Sequence, residues 1–91
     1  MGRPRKPRTI TKLPPSGFYK PEGVDLHRMQ GAVLPIDGFE ALRLADAEGL
    51  AHHLSAKKMG VSRATFSRIL NHARHVVAKA LTNGWAIRID Q

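Results

Sequence analysis

The spacing of apolar residues predicts three consecutive helices in the second half of the chain. In the third helix an apolar residue recurs every three or four positions, so that eight side chains share one arc roughly 140° wide. The two earlier helices carry shorter stripes with the same period. We expect the helices to span about residues 37–48, 51–59 and 62–82. The stripe of the third helix consists of Phe66, Ile69, Leu70, Ala73, Val76, Val77, Ala80 and Leu81.

Residues that commonly begin or end helices stand at these boundaries. Asp37 is a suitable N-cap for the first helix, and Gly49 ends it. Gly60 ends the second helix, because a residue without a Cβ adopts positive φ at no steric cost. Ser62 is expected to cap the third helix through its hydroxyl, and the Asn-Gly pair at residues 83–84 ends that helix.

The short connection between the second and third helices predicts a helix-turn-helix unit. Ala56 is small where the two helices approach each other, and Val61 fills the angle between them. An ordinary helical hairpin in a three-helix core would have the same pattern, but the exposed chemistry of the third helix favours DNA binding. The residues of the second helix expected to face the core are Leu50, Ala51, Leu54, Ala56 and Met59.

The two ends of the chain have a different character. Residues 1–17 contain four of the six prolines and no apolar periodicity, which predicts a flexible, extended basic arm. Alternating patterns predict short strands at residues 18–20 and 85–89, which can pair with each other, and residues 32–36 form a short apolar run. The predicted fold is mainly α, a single helix-turn-helix domain over residues 18–91 with an N-terminal arm and short flanking strands.

Charge is distributed in two basic blocks around an acidic middle, and the net charge is +8. Residues 1–20 and 50–83 each carry six Lys or Arg and no acid, whereas residues 21–49 carry six acids and two Arg. Because surface helices normally mix charges of both signs, such blocks favour a polyanionic partner. The absence of cysteine excludes disulfides, and no apolar run is long enough to span a bilayer. We therefore expect a cytoplasmic, nucleoid-associated protein with no membrane partner.

The face of the third helix opposite its apolar stripe suits the major groove of double-stranded DNA. Arg68 and Asn71 are the expected base readers, since Arg favours guanine and Asn favours adenine. Ala64 and Ser67 are small enough to let the helix approach the bases closely. The residues expected on phosphates lie around the turn and the helix start. They are Lys57, Lys58, Ser62, Arg63 and Thr65.

The N-terminal arm offers further cations to DNA. Its prolines favour an extended chain that, at ~3.3 Å per residue, could reach a neighbouring minor groove, as homeodomain arms do. The alternative is a tail that only raises the overall charge. Only a groove-inserted arm predicts a dependence on flanking A·T pairs. The candidate arm residues are Arg3, Arg5, Lys6 and Arg8.

Several motifs resemble those of two groups of prokaryotic proteins. The region of sigma factors that reads the upstream promoter element is similar in residues 34–44 (LPIDGFEALRL), 48–50 (EGL), 60–62 (GVS), 65–66 (TF) and 73–74 (AR). More closely, the chain resembles a small prokaryotic family known mainly as predicted DNA-binding proteins. That resemblance rests on residues 3–5 (RPR), 18–21 (FYKP), 40–46 (EALRLAD), 59–63 (MGVSR) and 65–66 (TF). It implies a helix-turn-helix fold like that of transcription regulators. Residues 52–55 (HHLS) depart from the family's more acidic pattern.

These observations predict a sequence-specific DNA-binding protein that regulates transcription. The alternative is a module that docks on RNA polymerase or another regulator through a sigma-like fold. RNA is a weaker candidate because no aromatic side chain lies on the reading face. A homodimer is compatible with the small surface of one recognition helix, with residues 85–89 and 18–19 as its interface unless these strands pair within the chain.

No cofactor, metal site or catalytic residue is expected, and the chain does not look like an enzyme. Zinc requires three or four ligands, but no carboxylate lies between residues 49 and 89, where the histidine pairs at 52–53 and at 72 and 75 are found. The acidic residues up to residue 48 have no nucleophile paired with them.

Overall fold

Three helices dominate the protein, of which a computed structural model describes residues 8–91. Helix α1 covers Ile36–Leu42 and continues as a π-helical turn over Arg43–Ala47. Helix α2 covers His52–Met59, and helix α3 covers Arg63–Asn83. Each helix boundary lies within one residue of the boundary expected from the apolar periodicity. The fold is mainly α.

A three-stranded sheet accompanies the helices. Strand β1 (Phe18–Tyr19) pairs antiparallel with β3 (Ala86–Asp90), as the alternating patterns at the two ends of the chain suggested. Strand β2 (Gly31–Pro35) lies on the other side of β3 and runs parallel to it, with Leu34 opposite Ile89. The strand order is therefore β1-β3-β2. Both edges of β3 are bonded within the chain, so the two strands at its ends pair within one copy.

The start of α1 differs from the expectation. The helix begins at Ile36 with Pro35 at the N-cap position, and no side chain caps it. Pro35 has φ −60° and ψ 152°, an extended conformation compatible with its ring and with the end of β2. Asp37 is therefore not the N-cap. Its side chain lies in the first turn, where it pairs with Arg8.

The turn between α2 and α3 has the conformation expected from its residues. Gly60 ends α2 at φ +68°, in the left-handed region that favours glycine. The Ser62 hydroxyl accepts a hydrogen bond of 3.1 Å from the Thr65 backbone N–H, which makes it the N-cap of α3. Val61 packs partly buried against the core beside Phe66.

The core has two parts. The larger lies between the three helices, and the smaller joins α3 to the sheet through Leu34, Ala73 and Ile89. The larger part contains Ala41, Leu44, Ala56, Met59, Phe66 and Leu70.

Three residues assigned to the core from their spacing are exposed instead. Leu81 is 74% exposed, although its neighbour Ala80 is buried, because the side of α3 that Leu81 occupies is not covered by another element within residues 8–91. Leu54 is 43% exposed, and Ala51 is exposed as well. Ser55, the residue after Leu54, takes the buried position in α2, and its hydroxyl donates to the Leu50 carbonyl oxygen at 3.3 Å. This hydrogen bond satisfies a polar group that would otherwise be costly to bury.

Residues 8–17, expected to belong to the flexible arm, lie against the domain. The Thr9 N–H donates to the Met59 carbonyl oxygen at 3.1 Å, and the Gly17 carbonyl oxygen accepts from the Ile89 N–H at 2.8 Å. These backbone bonds hold the segment to the end of α2 and to β3. Across residues 8–91 we find no helix with the length and apolar character that crossing a membrane requires.

Candidate nucleic-acid interface

The proposed reading face is the solvent-facing side of α3. Ala64, Ser67, Arg68 and Asn71 are all exposed. Their spacing of three and four residues places them on one side of the helix. Phe66, which immediately precedes Ser67, is fully buried on the opposite side of the helix. The structure thus brings together the four residues predicted to contact bases.

Two of the predicted phosphate-binding residues are used within the chain. Ser62 caps α3, and its hydroxyl also donates to Thr65 Oγ1 at 3.0 Å. The Arg68 guanidinium in turn donates from Nη2 to Thr65 Oγ1 at 3.2 Å. Arg68 therefore lies along the helix surface in this structure.

Other cations surround the start of α3. Lys57 and Lys58 are exposed in the last turn of α2, and Arg63 is exposed at the first residue of α3. Arg74, farther along α3, forms two hydrogen bonds with the carboxylate of Asp46, at 2.6 and 3.0 Å. The hydrogen bonds from Arg74 lower the pKa of Asp46. Arg74 therefore ties α3 to the π-helical turn, whereas the first three cations face solvent.

Arg8 lies beside the turn between α2 and α3. Its Nε is 3.5 Å from the Asp37 carboxylate, and the neighbouring Thr9 N–H bonds to the end of α2. A cleft of about 190 Å³ is lined by Arg8 together with Gly60, Val61, Ser62 and Thr65. The chain thus enters the described domain next to the N-terminus of α3. The other arm candidates, Arg3, Arg5 and Lys6, lie outside the described residues.

A buried carboxylate fixes the segment that follows Arg8. Glu40 is fully buried and accepts hydrogen bonds from the Thr11 N–H (3.0 Å), the Thr11 hydroxyl (2.7 Å) and Arg43 (2.7 and 2.9 Å). Arg43 also donates to Thr11 Oγ1 at 2.6 Å and pairs with Glu48. Burial by itself raises the pKa of Glu40, but the hydrogen bonds from Arg43 and Thr11 outweigh burial and lower it to about 2.

A second cleft opens between α1 and the first half of α3, with a volume of about 390 Å³. His72 borders it, although the sequence suggested only an exposed helical histidine. The spacing in the sequence could have indicated that His72 shares one side of α3 with Thr65 and Arg68, because the three residues recur at intervals of three and four. The lining residues are Arg8, Pro35, Asp37, Gly38, Thr65, Arg68, Ile69 and His72.

Comparison with known proteins places the chain in a family. The family model described as "Protein of unknown function DUF134" matches residues 1–91. The chain belongs to this family. A UPF0251 protein of Rhodospirillum rubrum is 56% identical to this DUF134 chain over 90 residues, which are 99% of the chain and 63% of the relative. A UPF0251 protein of Desulfosudis oleivorans is 47% identical over 90 residues, again 99% of the chain and 65% of the relative.

The DUF134 chain thus spans slightly less than two thirds of the length of these two relatives. The match agrees with the resemblance to a family of small prokaryotic proteins. No solved structure matches the chain significantly. Within residues 8–91 of this DUF134 protein, no three His, Asp or Glu side chains are grouped so as to hold a metal ion.

Proposed function

We propose that this chain binds double-stranded DNA through a helix-turn-helix formed by α2 and α3, and that it regulates transcription. In this proposal α3 enters the major groove and presents Ala64, Ser67, Arg68 and Asn71 to the bases. Phosphate contacts come from the turn and from the end of α2. Arg8 and the residues before it add contacts to the adjacent backbone or minor groove.

The observation that carries the proposal is the chemistry of one exposed surface. The four candidate base readers are exposed side by side, and Lys57, Lys58 and Arg63 are exposed around the helix start. The sequence has no Asp or Glu from residue 49 to residue 89, so neither α2 nor α3 supplies a carboxylate that would repel DNA. A solvent-facing helix without a DNA partner would normally mix acidic and basic residues.

Arg68 and Asn71 contribute differently to the expected specificity. Asn71 is exposed one helical turn after Ser67, and an asparagine in the major groove can form two hydrogen bonds with adenine. Arg68 donates one hydrogen bond from Nη2 to Thr65, and a base contact through Nη2 would exchange that bond for one to the base. Because that bond is a single contact between exposed side chains, we expect a small cost for the exchange.

Selection of bound sequences from a random pool of duplex DNA tests the proposal. Wild type should enrich one motif, and Asn71→Ala and Arg68→Ala should each relax one base position, at a cost of about 1–3 kcal/mol there. Arg88→Gln is the matched control, since Arg88 is an exposed cation on β3 rather than on α3. It should enrich the same motif as wild type.

The binding assay also separates the two leading functions. If the wild-type protein does not change the electrophoretic mobility of any DNA fragment even at low salt, the DNA-binding proposal is wrong. Docking on RNA polymerase then becomes the better explanation. If DNA binds but both α3 variants enrich the wild-type motif with equal strength, α3 is not the reading helix.

A further inference from the structure

We propose that the cleft between α1 and α3 is a binding site for a phosphate group. Two guanidinium groups, an imidazole and a hydroxyl border it, belonging to Arg8, Arg68, His72 and Thr65. The phosphate can belong to the DNA backbone, in which case the inference rests on the proposed function, or to a free phosphoryl ligand. The same donors would recognise either one.

The charge around the cleft is suited to an anion. Asp37 is the one carboxylate among the described residues that line the cleft, and it lies 3.5 Å from the Nε of Arg8. The salt bridge offsets this negative charge and orients the Arg8 guanidinium at the cleft wall. Arg68 then leaves the cleft with a net positive charge. Guanidinium groups bind phosphate through paired N–H donors, whereas a lysine acts mainly as a point charge.

The arrangement of the donors follows from the packing of two helices. Thr65, Arg68 and His72 form one stripe along α3 that faces the start of α1. Opposite them, Gly38 brings α1 close to α3, since a Cβ on Gly38 would lie 3.1 Å from both the Ala73 Cβ and the Leu34 Cδ1. Because a side chain at residue 38 would require Ala73 or Leu34 to shift, the glycine allows the walls of the cleft to lie close together.

The cleft has the size and position for a phosphate contact. Its volume of about 390 Å³ is within the range of small-ligand sites and easily accommodates a phosphate group. Arg68 borders both the cleft and the exposed reading face of α3. A phosphate bound there would therefore lie immediately beside DNA in the major groove, and a free phosphoryl ligand would compete with DNA for Arg68.

Titration with inorganic phosphate at constant ionic strength tests the site directly. The amide chemical shifts of Thr65 and His72 should change and saturate in nitrogen–proton NMR spectra of the wild-type protein. Arg8→Gln and His72→Ala should each weaken the binding by about tenfold, as expected for the loss of one charge-assisted hydrogen bond. Arg88→Gln, which removes an exposed cation of β3 that does not line the cleft, should weaken it by less than about twofold.

The same variants are then measured on a DNA fragment across a range of salt concentrations. If the phosphate belongs to DNA, Arg8→Gln and His72→Ala lower the affinity for DNA. Loss of the Arg8 contact with a phosphate also lowers the slope of log affinity against log salt concentration by about one. If the source is a free phosphoryl ligand, His72→Ala loses phosphate binding but retains DNA affinity. Either result supports the phosphate site.

Other results would overturn the inference. One is the absence of saturable chemical-shift changes up to about 20 mM phosphate. A dissociation constant above that concentration would mean weaker binding than a site with several charge-assisted hydrogen bonds should have. Another is an equal loss in Arg88→Gln, which would mean that only net charge matters. If Arg8→Gln fails to fold, the phosphate titration of His72→Ala still tests the site, because His72 is exposed and its replacement should not disturb the core. Failure of wild type to bind DNA would contradict the proposed function and leave the phosphate titration interpretable by itself.

Discussion

Among individual residues, Glu40 has the environment that matters most for attaching the N-terminal segment. Its carboxylate is fully buried but accepts four hydrogen bonds from Thr11 and Arg43. Charged groups are rarely buried unless they are paired and hydrogen-bonded. Here a single carboxylate joins α1 to Thr11, which precedes Glu40 by 29 residues. The sequence showed Glu40 within a motif but indicated neither its burial nor its partner Thr11.

We predict that Glu40→Gln lowers the free energy of unfolding by about 2–3 kcal/mol, because Arg43 loses its buried ionic partner. Glu48→Gln removes a carboxylate from the same Arg43, but the Glu48 side chain is 52% exposed. Its loss should cost less than about 1 kcal/mol. Urea unfolding of both variants measures the difference, and equal costs would contradict the role assigned to the buried carboxylate.

At the level of elements, the turn between α2 and α3 depends on the conformation of one glycine. Gly60 has φ +68°, and among the atoms of residues 8–91 a Cβ placed there would meet only Thr9 Oγ1, at 3.7 Å. Space is therefore available, and a substitution is penalised mainly through backbone strain. The sequence was sufficient to predict this turn, because its helix stop, cap and connection involve neighbouring residues.

We predict that Gly60→Val lowers the free energy of unfolding by about 1–3 kcal/mol, since β-branched residues resist positive φ. Gly60→Asn is the matched control, because asparagine tolerates the left-handed region, and it should cost less than about 1 kcal/mol. Thermal or urea unfolding measures both. A Gly60→Val protein as stable as Gly60→Asn would show that backbone strain at this position is unimportant.

For the molecule as a whole, acid should destabilise the fold through Glu40. Its pKa is lowered from 4.5 to about 2 in the folded protein, so its contribution is fully present above pH 4.5. As the pH falls from 4.5 towards 2, the unfolded state binds a proton first, and about 3 kcal/mol of stability is lost. Asp46, whose pKa is also lowered, acts in the same direction.

Urea unfolding at pH 7, 4.5, 3 and 2 measures this dependence. We expect Glu40→Gln to begin less stable at pH 7 and to lose less stability between pH 4.5 and 2 than wild type. A wild-type stability that is constant down to pH 2 would contradict the hydrogen-bonded, ionised state of Glu40.

A further prediction concerns the contribution of the N-terminal arm to DNA binding. Deletion of residues 2–7 removes Arg3, Arg5 and Lys6 but keeps Arg8, which pairs with Asp37. DNA affinity should fall, and the salt dependence should become shallower by about one unit for each phosphate that the arm no longer neutralises. A greater loss of affinity on sites flanked by A·T than by G·C pairs would indicate insertion into the minor groove. Equal losses on both would indicate a charged tail.

The sequence by itself determined the three helices, the turn at Gly60 and the cap at Ser62. These features follow from apolar periodicity and from interactions between residues a few positions apart. The exposure of Leu81 and the burial of Ser55 could not be derived in this way, since each depends on which face of a helix finds a packing partner.

Tertiary structure alone decided the parallel pairing of β2 with β3, the attachment of residues 8–17 and the cleft beside His72. Each arises from interactions between residues distant in sequence, whose partners are selected by the packing of the complete core. Periodicity reports which side of a segment is apolar, but it does not report which other segment will cover that side.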